Sequence, residues 1–239
     1  MASRREQKEK LRKEREQREA ATKADQRRKQ LIGYGAGGAL VLVAVIVAVV
    51  LLGGGGGSSS ASGDVLPDGG SYPEPKDDVA PAAAAKAAGC ELRQVPVGEN
   101  GRLHLEDLSQ KVKYSTKPPT SGKHYAVPAE DGAYEDPPDV KELVHTLEHG
   151  RVLIWFKKSL PADQRAALKK YYDDDSYQLV LVPDTTGMKY AVAVTAWNRD
   201  PEPNGTGQLL GCMKYSDEIF TAIESFKDEN RSRGPEPVP

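Results

Sequence analysis

Residues 31–52 form an uncharged, mostly apolar run of 22 residues, which constrains the fold of this chain more than any other feature. At about 1.5 Å per residue, a helix of that length spans about 30 Å, which matches the hydrocarbon core of a bilayer. The run starts with several glycines, but residues 39–52 are entirely Val, Ile, Leu and Ala. We therefore predict one transmembrane helix over residues 31–52, with separate segments before and after it.

The charge distribution predicts the orientation of this helix. Residues 1–30 contain 12 Lys/Arg against 6 Asp/Glu, a net charge of +6, whereas residues 31–239 contain 21 against 29, a net charge of -8. By the positive-inside rule, the basic tail stays in the cytoplasm and the C-terminal region lies outside the cell membrane. A cleaved signal peptide is the alternative, since Ser59-Ser60-Ala61 offers small residues near a cleavage point. Signal peptides normally have a shorter charged region and an apolar run of about 7–15 residues, which favours an uncleaved anchor.

The basic tail, residues 1–30, also raises the question of nucleic-acid binding. It has no aromatic residues, and glutamates are mixed with its lysines and arginines. This pattern is typical of a solvated helix or a tail that contacts anionic lipid. The expected partners are therefore the membrane and other envelope proteins, and no nucleic acid.

Residues 53–89 have the composition of a linker. Five glycines and three serines are followed by a stretch rich in Pro and Ala, which predicts a tether without a core of its own. The folded domain is then predicted over residues 90–230, about 140 residues, which is a normal size for one hydrophobic core. Residues 231–239 are predicted to be a C-terminal tail.

Cys90 and Cys212, the two cysteines of the chain, lie near the two ends of the predicted domain. Outside the cytoplasm, two thiols favour a single disulfide. Two unpaired buried thiols are the alternative. A disulfide that closes so long a loop would stabilise the domain by about 4–5 kcal/mol on the chain-entropy model.

Within the predicted domain, the pattern of apolar residues and helix caps indicates an α+β fold. Residues 98–140 are rich in Pro and Gly and predict ordered loops and short edge strands. After them, helices and strands are expected in the order α, β, α, β, β, α. The predicted helices cover residues 140–149, 161–172 and 217–227, the first capped by Asp139 and the last by Ser216, and the predicted strands cover residues 151–156, 178–182 and 189–197. We predict a mixed sheet of at least three strands with helices packed against it.

All four histidines of the chain lie within one window of 46 residues, at His104, His124, His145 and His149. The last two belong to an H-x-x-E-H run within the first predicted helix. They lie one helical turn apart and roughly opposite its apolar stripe. Their face is therefore either solvated or covered by another segment. The candidate cover is the Pro-rich loop of residues 117–138, which carries His124.

These histidines predict a binding site for a transition metal. Zinc and copper sites use three or four ligands, and two histidines at i and i+4 are a common half of such a site. His145 and His149 would supply that half, and His104 and His124 would complete it. The expected cofactor is zinc or copper. A hydrogen-bonded cluster of structural histidines and a plain solvated surface are the alternatives.

The H-x-x-E-H run also matches the inverted zinc-peptidase signature, in which the glutamate acts as general base. Two observations speak against a metal-dependent hydrolase. The predicted helix ends one residue after His149, and its angular spacing places Glu148 on a different flank from the two histidines. No residue is therefore assigned a catalytic role. The main alternative to metal binding is a non-catalytic interaction or scaffolding module of the cell envelope.

Three sequence blocks resemble the bacterial domain-of-unknown-function family 3105. They are Pro118-Pro-Thr-Ser-Gly-Lys-His124-Tyr, Leu143-Val-His-Thr-Leu-Glu-His-Gly-Arg-Val152 and Val194-Thr-Ala-Trp197. The resemblance implies a basic N-terminus, one membrane span and an external domain in the bacterial envelope, covering about residues 88–235. It implies no activity.

Overall fold

The computed structural model describes residues 64–236, and this part of the chain contains four helices and eight strands. The elements in chain order are α1 Pro81–Ala87, β1 Cys90–Pro96, β2 His104–Leu105, β3 His124–Tyr125, β4 Gly132–Ala133, α2 Val140–Glu148, β5 Val152–Phe156, α3 Ala162–Asp174, β6 Leu179–Pro183, β7 Val192–Asn198, β8 Thr206–Cys212 and α4 Ile219–Asn230.

The predicted basic tail and the predicted transmembrane helix over residues 31–52 lie outside the described residues. Between residues 64 and 236, no helix is both long enough and apolar enough to cross a membrane.

Six of the strands form one mixed sheet in the order β1-β8-β7-β5-β6-β4. Its first half is antiparallel, whereas β5, β6 and β4 are parallel. Helix α3 makes the crossover that two consecutive parallel strands require. The predicted α+β fold with a mixed sheet is confirmed.

Strand β5 shows how the core is divided between the two faces of the sheet. All five of its residues are buried. Val152, Ile154 and Phe156 face a core layer shared with α1, α3 and α4, whereas Leu153 and Trp155 face a second layer shared with α2. Side chains alternate along a strand, so a strand covered on both faces has a continuous apolar sequence. Helix α2 therefore lies alone among the four helices on its side of the sheet.

The boundaries of α2 follow from its caps. The Asp139 side chain accepts a hydrogen bond from the Lys141 backbone N–H at 2.8 Å, and the Glu142 carboxylate accepts one from the Asp139 N–H at 2.9 Å. This reciprocal capping box fixes the first turn. At the other end, Gly150 has a φ of +83°, the left-handed conformation that ends many helices. The predicted start of this helix under Asp139 is confirmed, and the helix ends at Glu148, one residue before the predicted end.

Residues 64–89 belong to the folded domain, so the predicted linker over residues 53–89 needs correction in this part. Pro81 occupies the first turn of α1, and the alanines after it are the strongest helix formers. Ala84 and Ala85 are buried in the same core layer as Leu66 and α4. The small alanine side chains let α1 pack closely against the core. Composition alone assigns the same Pro- and Ala-rich segment to a linker.

The sequence pattern did not predict β1 and β8, which pair with each other in antiparallel register. Cys90 lies directly opposite Cys212 in this ladder, and the predicted disulfide joins them. The last helix begins at Ile219, with Glu218 as N-cap and no side-chain cap, so the predicted start at residue 217 under Ser216 is wrong.

Part of the predicted C-terminal tail, residues 231–239, is bonded to the domain. The Ser232 N–H donates to the Gly150 carbonyl at 2.8 Å, and the Glu236 N–H donates to the Glu148 carbonyl at 3.1 Å. Residues 232–236 are therefore attached to the C-terminal end of α2.

Candidate metal centre

Three distant segments bring three of the four histidines together. The short parallel pairing of β2 and β3 places His104 beside His124. The His145 side chain of α2 then donates from its Nδ1 to the Tyr125 carbonyl of β3 at 2.7 Å. The ring centroids of His104, His124 and His145 lie 4.7–4.8 Å apart.

The face of α2 that carries His145 is covered by the Pro-rich loop, as predicted. Besides the bond to Tyr125, the Thr146 hydroxyl donates to the Ala129 carbonyl at 2.9 Å. His145 is 4% exposed and His124 is fully buried. His124 and His145 therefore line an interior site rather than a solvated helix face.

Glu148 is the fourth member of this cluster. Its Oε2 atom lies 2.9 Å from His124 Nε2 and 3.4 Å from His104 Nε2, and its side chain is 1% exposed. The predicted separation of Glu148 from the histidines is therefore wrong with respect to His145, because residues at i and i+3 are also neighbours on a helix. We call His104, His124, His145 and Glu148 the inner cluster.

His149 lies beside the inner cluster rather than in it. Its ring centroid is 4.5 Å from that of His145, but its candidate ligand atom groups with those of His145 and Glu236. The structure thus brings together three of the predicted metal ligands and replaces the fourth, His149, by Glu148.

The hydrogen bonds of the two buried rings fix which nitrogen faces the cluster. His124 Nδ1 lies 2.8 Å from the Gly122 carbonyl and His145 Nδ1 lies 2.7 Å from the Tyr125 carbonyl. Because a carbonyl oxygen can only accept, each Nδ1 carries a hydrogen, and Nε2 of the neutral ring keeps its lone pair. Metal-binding histidines are commonly oriented by such a bond from the second nitrogen.

Two buried atoms of the inner cluster have no aligned hydrogen-bond partner among the described residues. They are His124 Nε2 and Glu148 Oε2, which lie close together without hydrogen-bond geometry between them. Buried polar atoms are nearly always paired, and an exception indicates a functional role or a bound ion. When the His124 ring is neutral, its Nε2 and the Glu148 oxygen are both acceptors, and one shared cation satisfies them together.

Charges around the cluster favour the protonation states of metal ligands. Burial lowers the pKa of His145 to about 4, so this ring is neutral at pH 7. For Glu148, burial raises the pKa, but His124 in its protonated form and the Arg102 guanidinium outweigh burial and lower the pKa to about 2. Arg102 donates from Nε to Glu148 Oε1 at 2.6 Å, which leaves Oε2 for the cluster. Metal binding requires a neutral imidazole and an ionised carboxylate.

The inner cluster has the size of a site for one ion. Its four candidate ligand atoms all lie within 4.8 Å of one another. For zinc bonds of about 2.0–2.1 Å in a tetrahedron, ligand atoms are separated by roughly 3.3–3.4 Å. The Trp197 ring closes one side, 5.8 Å from the His124 ring, whereas His104 is 43% exposed and marks the side open to solvent.

A comparison of the chain with protein families adds one finding. The family model described as a protein of unknown function (DUF3105) matches residues 106–237. The chain belongs to the DUF3105 family. The DUF3105 match contains His124, His145, Glu148, His149 and Glu236, and it begins two residues after His104. No curated protein and no solved structure matches the chain.

Sequence reasoning missed Arg102 and Glu236 and did not place Glu148 in the site. Glu148 had a signal, since its i+3 spacing from His145 allows a shared site. No local sequence pattern marks Arg102 or Glu236 as part of the site. Arg102 reaches α2 from a loop and Glu236 from the C-terminal segment, and both are far from α2 in sequence.

Proposed function

We propose that this domain binds one transition-metal ion through His104, His124, His145 and Glu148. The observation that carries the proposal is the convergence of His124 Nε2 and Glu148 Oε2, two buried atoms without aligned partners. The bonds from both Nδ1 atoms, and from Arg102 to Glu148 Oε1, support it because they orient the ligands before the metal arrives. Such orienting contacts typically accompany metal sites.

The chemistry of the donor atoms favours zinc or Cu(II). Imidazole nitrogen suits both metals, and a carboxylate oxygen completes a four-coordinate zinc site. Both cysteines of the chain are joined to each other in the disulfide. No thiolate is therefore offered to the soft Cu(I) ion.

We also propose that the domain lies on the outer side of a bacterial cell membrane, anchored by a helix over residues 31–52. The apolar run, the basic residues before it and the disulfide support this location, since disulfides persist in oxidising compartments. Protease added to intact spheroplasts is expected to degrade the domain while a cytoplasmic marker survives. Protection of the domain until the cells are lysed would contradict the location.

The two other functions receive less support. An interaction module without a metal does not require four candidate ligands within 4.8 Å of one another, three of them buried. A metal-dependent hydrolase needs a general base beside a bound water, whereas Glu148 is 1% exposed, bonded to Arg102 and directed at the imidazoles. Glu148 therefore has the position of a ligand.

The proposal is tested by titrating the metal-free full-length protein with zinc and with Cu(II) in a calorimeter. About one ion per chain is expected. The variants His124→Ala and Glu148→Gln should each lower the affinity by at least 10- to 100-fold, the cost typical of losing even an outer contact of a metal site. Glu106→Gln is a matched control, because Glu106 is an exposed residue on the neighbouring loop.

Wild-type protein that binds neither metal stoichiometrically would refute the proposal. So would equal affinities in the wild type and both cluster variants, because the ion would then lie elsewhere. Elemental analysis of the protein as isolated distinguishes zinc from copper.

A further inference from the structure

His145 lies between the inner cluster and a second group of candidate ligands. His145, His149 and Glu236 offer one ligand atom each, and these three atoms lie within 4.8 Å of one another. We call these three residues the outer group. The shared member is His145, whose ring is 4.8 Å from the His104 and His124 rings and 4.5 Å from the His149 ring.

Backbone contacts position Glu236 next to the end of α2. Its N–H donates to the Glu148 carbonyl at 3.1 Å, and the Ser232 N–H donates to the Gly150 carbonyl at 2.8 Å. Gly234 fits against Gly150 because neither has a side chain: a Cβ on Gly150 would lie 2.9 Å from the Gly234 nitrogen. The backbone of Glu236 is therefore held beside the C-terminal end of α2.

The outer group shares one residue, His145, with the inner cluster. His145 Nδ1 is engaged with the Tyr125 carbonyl, so only Nε2 is available to a metal. A neutral imidazole nitrogen has one lone pair. An ion in the inner cluster and an ion in the outer group cannot both bind His145 Nε2 at the same time.

The two groups differ in number of ligands and in exposure. The inner cluster offers four ligands, three of them buried, whereas the outer group offers three, of which His149 is half-buried and Glu236 is exposed. More ligands and a drier site favour the inner cluster at equilibrium. The exposed carboxylate makes the outer group the more accessible of the two.

From this arrangement we infer that the outer group is a second, weaker metal site that receives the ion and transfers it to the inner cluster through His145. During transfer the ion stays bound to His145 Nε2. It exchanges His149 nitrogen and Glu236 oxygen for His104 and His124 nitrogen and Glu148 oxygen, without change of oxidation state. The inference rests on the proposed metal-binding function.

The first test measures how fast zinc binds. Metal-free full-length protein is mixed with zinc in a stopped-flow instrument with a chromophoric chelator as competitor. The variant His149→Ala/Glu236→Gln should bind about one ion per chain as the wild type does, but with an association rate about tenfold lower. Glu229→Gln is the matched control, since Glu229 is an exposed glutamate of α4. An unchanged association rate in the double variant would overturn the transfer role.

The second test weakens the inner cluster, so that the outer group contributes a larger share of the zinc binding. His124→Ala removes one inner ligand, and the remaining zinc affinity should fall at least tenfold further when His149→Ala is added, a loss comparable to that of an orienting contact in a metal site. Far-UV circular dichroism checks folding, and Glu148→Gln replaces His124→Ala if that variant does not fold.

The outcomes separate this inference from the proposed function. If wild-type protein binds one ion but residual binding in the His124→Ala variant is insensitive to His149→Ala, the outer site is refuted and the inner site stands. Two ions per wild-type chain would refute the mutually exclusive use of His145. Wild-type protein that takes up no ion refutes both.

Discussion

The disulfide between Cys90 and Cys212 should contribute a large part of the stability of this domain. The two cysteines are 122 residues apart in sequence. On the chain-entropy model, closing a loop of that length stabilises the folded state by about 5 kcal/mol at 25 °C. The bond also joins β1 to β8 at a point where the two cysteines are already paired in the ladder. The double variant Cys90→Ala/Cys212→Ala should therefore unfold at much lower denaturant concentration.

Urea unfolding followed by circular dichroism and tryptophan fluorescence measures this effect. In a thermal melt of the same variant, a loss of about 5 kcal/mol lowers the melting temperature by roughly 10–20 °C for a domain of this size. Cys212 belongs to the core layer of α1, α3 and α4, on the other side of the sheet from α2. Zinc affinity of the folded variant should thus stay close to that of the wild type. A loss below about 1 kcal/mol would refute the loop-closure reasoning.

Three other variants test single contacts. Arg102→Gln should lower zinc affinity by about 10- to 100-fold in calorimetry, because Glu148 loses the donor that orients it; unchanged affinity would contradict this role. Burial raises the pKa of Asp175, but Lys227 and Arg231 lower it to about 2. Ionised Asp175 therefore stabilises the folded state above about pH 4, and this stabilisation is lost as the pH falls to 2. Asp175→Asn should lower the free energy of unfolding, measured in urea at pH 7, by about 2 kcal/mol. In this variant the free energy of unfolding should change less between about pH 4 and pH 2 than in the wild type. Gly150→Ala should cost at least about 1–2 kcal/mol in the same assay, because its φ is +83°; a neutral effect would mean that the backbone relaxes freely there.

The parts of the fold that follow from local rules were predictable from the sequence. Helix α2 begins at a capping box of Asp139 and Glu142 and ends before Gly150, and all of these signals are local. Strands β5 and β6 are continuous apolar runs because both faces of the sheet are covered.

Strand β8 was not predictable because its sequence contains two glycines, which weaken a strand in isolation. The structure gives these glycines a reason. Gly207 lies against the Thr120 side chain and Gly211 against the Tyr190 ring, so a side chain at either position would collide with its neighbour. The strand exists because of contacts made by residues far away in sequence, which no local pattern reports.

The site divides in the same way. The four histidines and the covering loop are visible in the sequence, because histidines are rare in this chain and cluster in one window. The choice of Glu148 over His149 depends on where β2 and β3 cross α2, since that crossing places His124 Nε2 next to the carboxylate. Helical spacing alone permits both residues.

The most direct measurement of the central claim is the X-ray absorption spectrum of the zinc-loaded full-length protein at the zinc edge. Zinc in the inner cluster predicts a first shell of nitrogen and oxygen at about 2.0–2.1 Å, with the outer-shell pattern of imidazole rings. That pattern should weaken in the His124→Ala variant. A shell of oxygen atoms without imidazole, or a spectrum that this variant leaves unchanged, would contradict a metal centre built from His104, His124, His145 and Glu148.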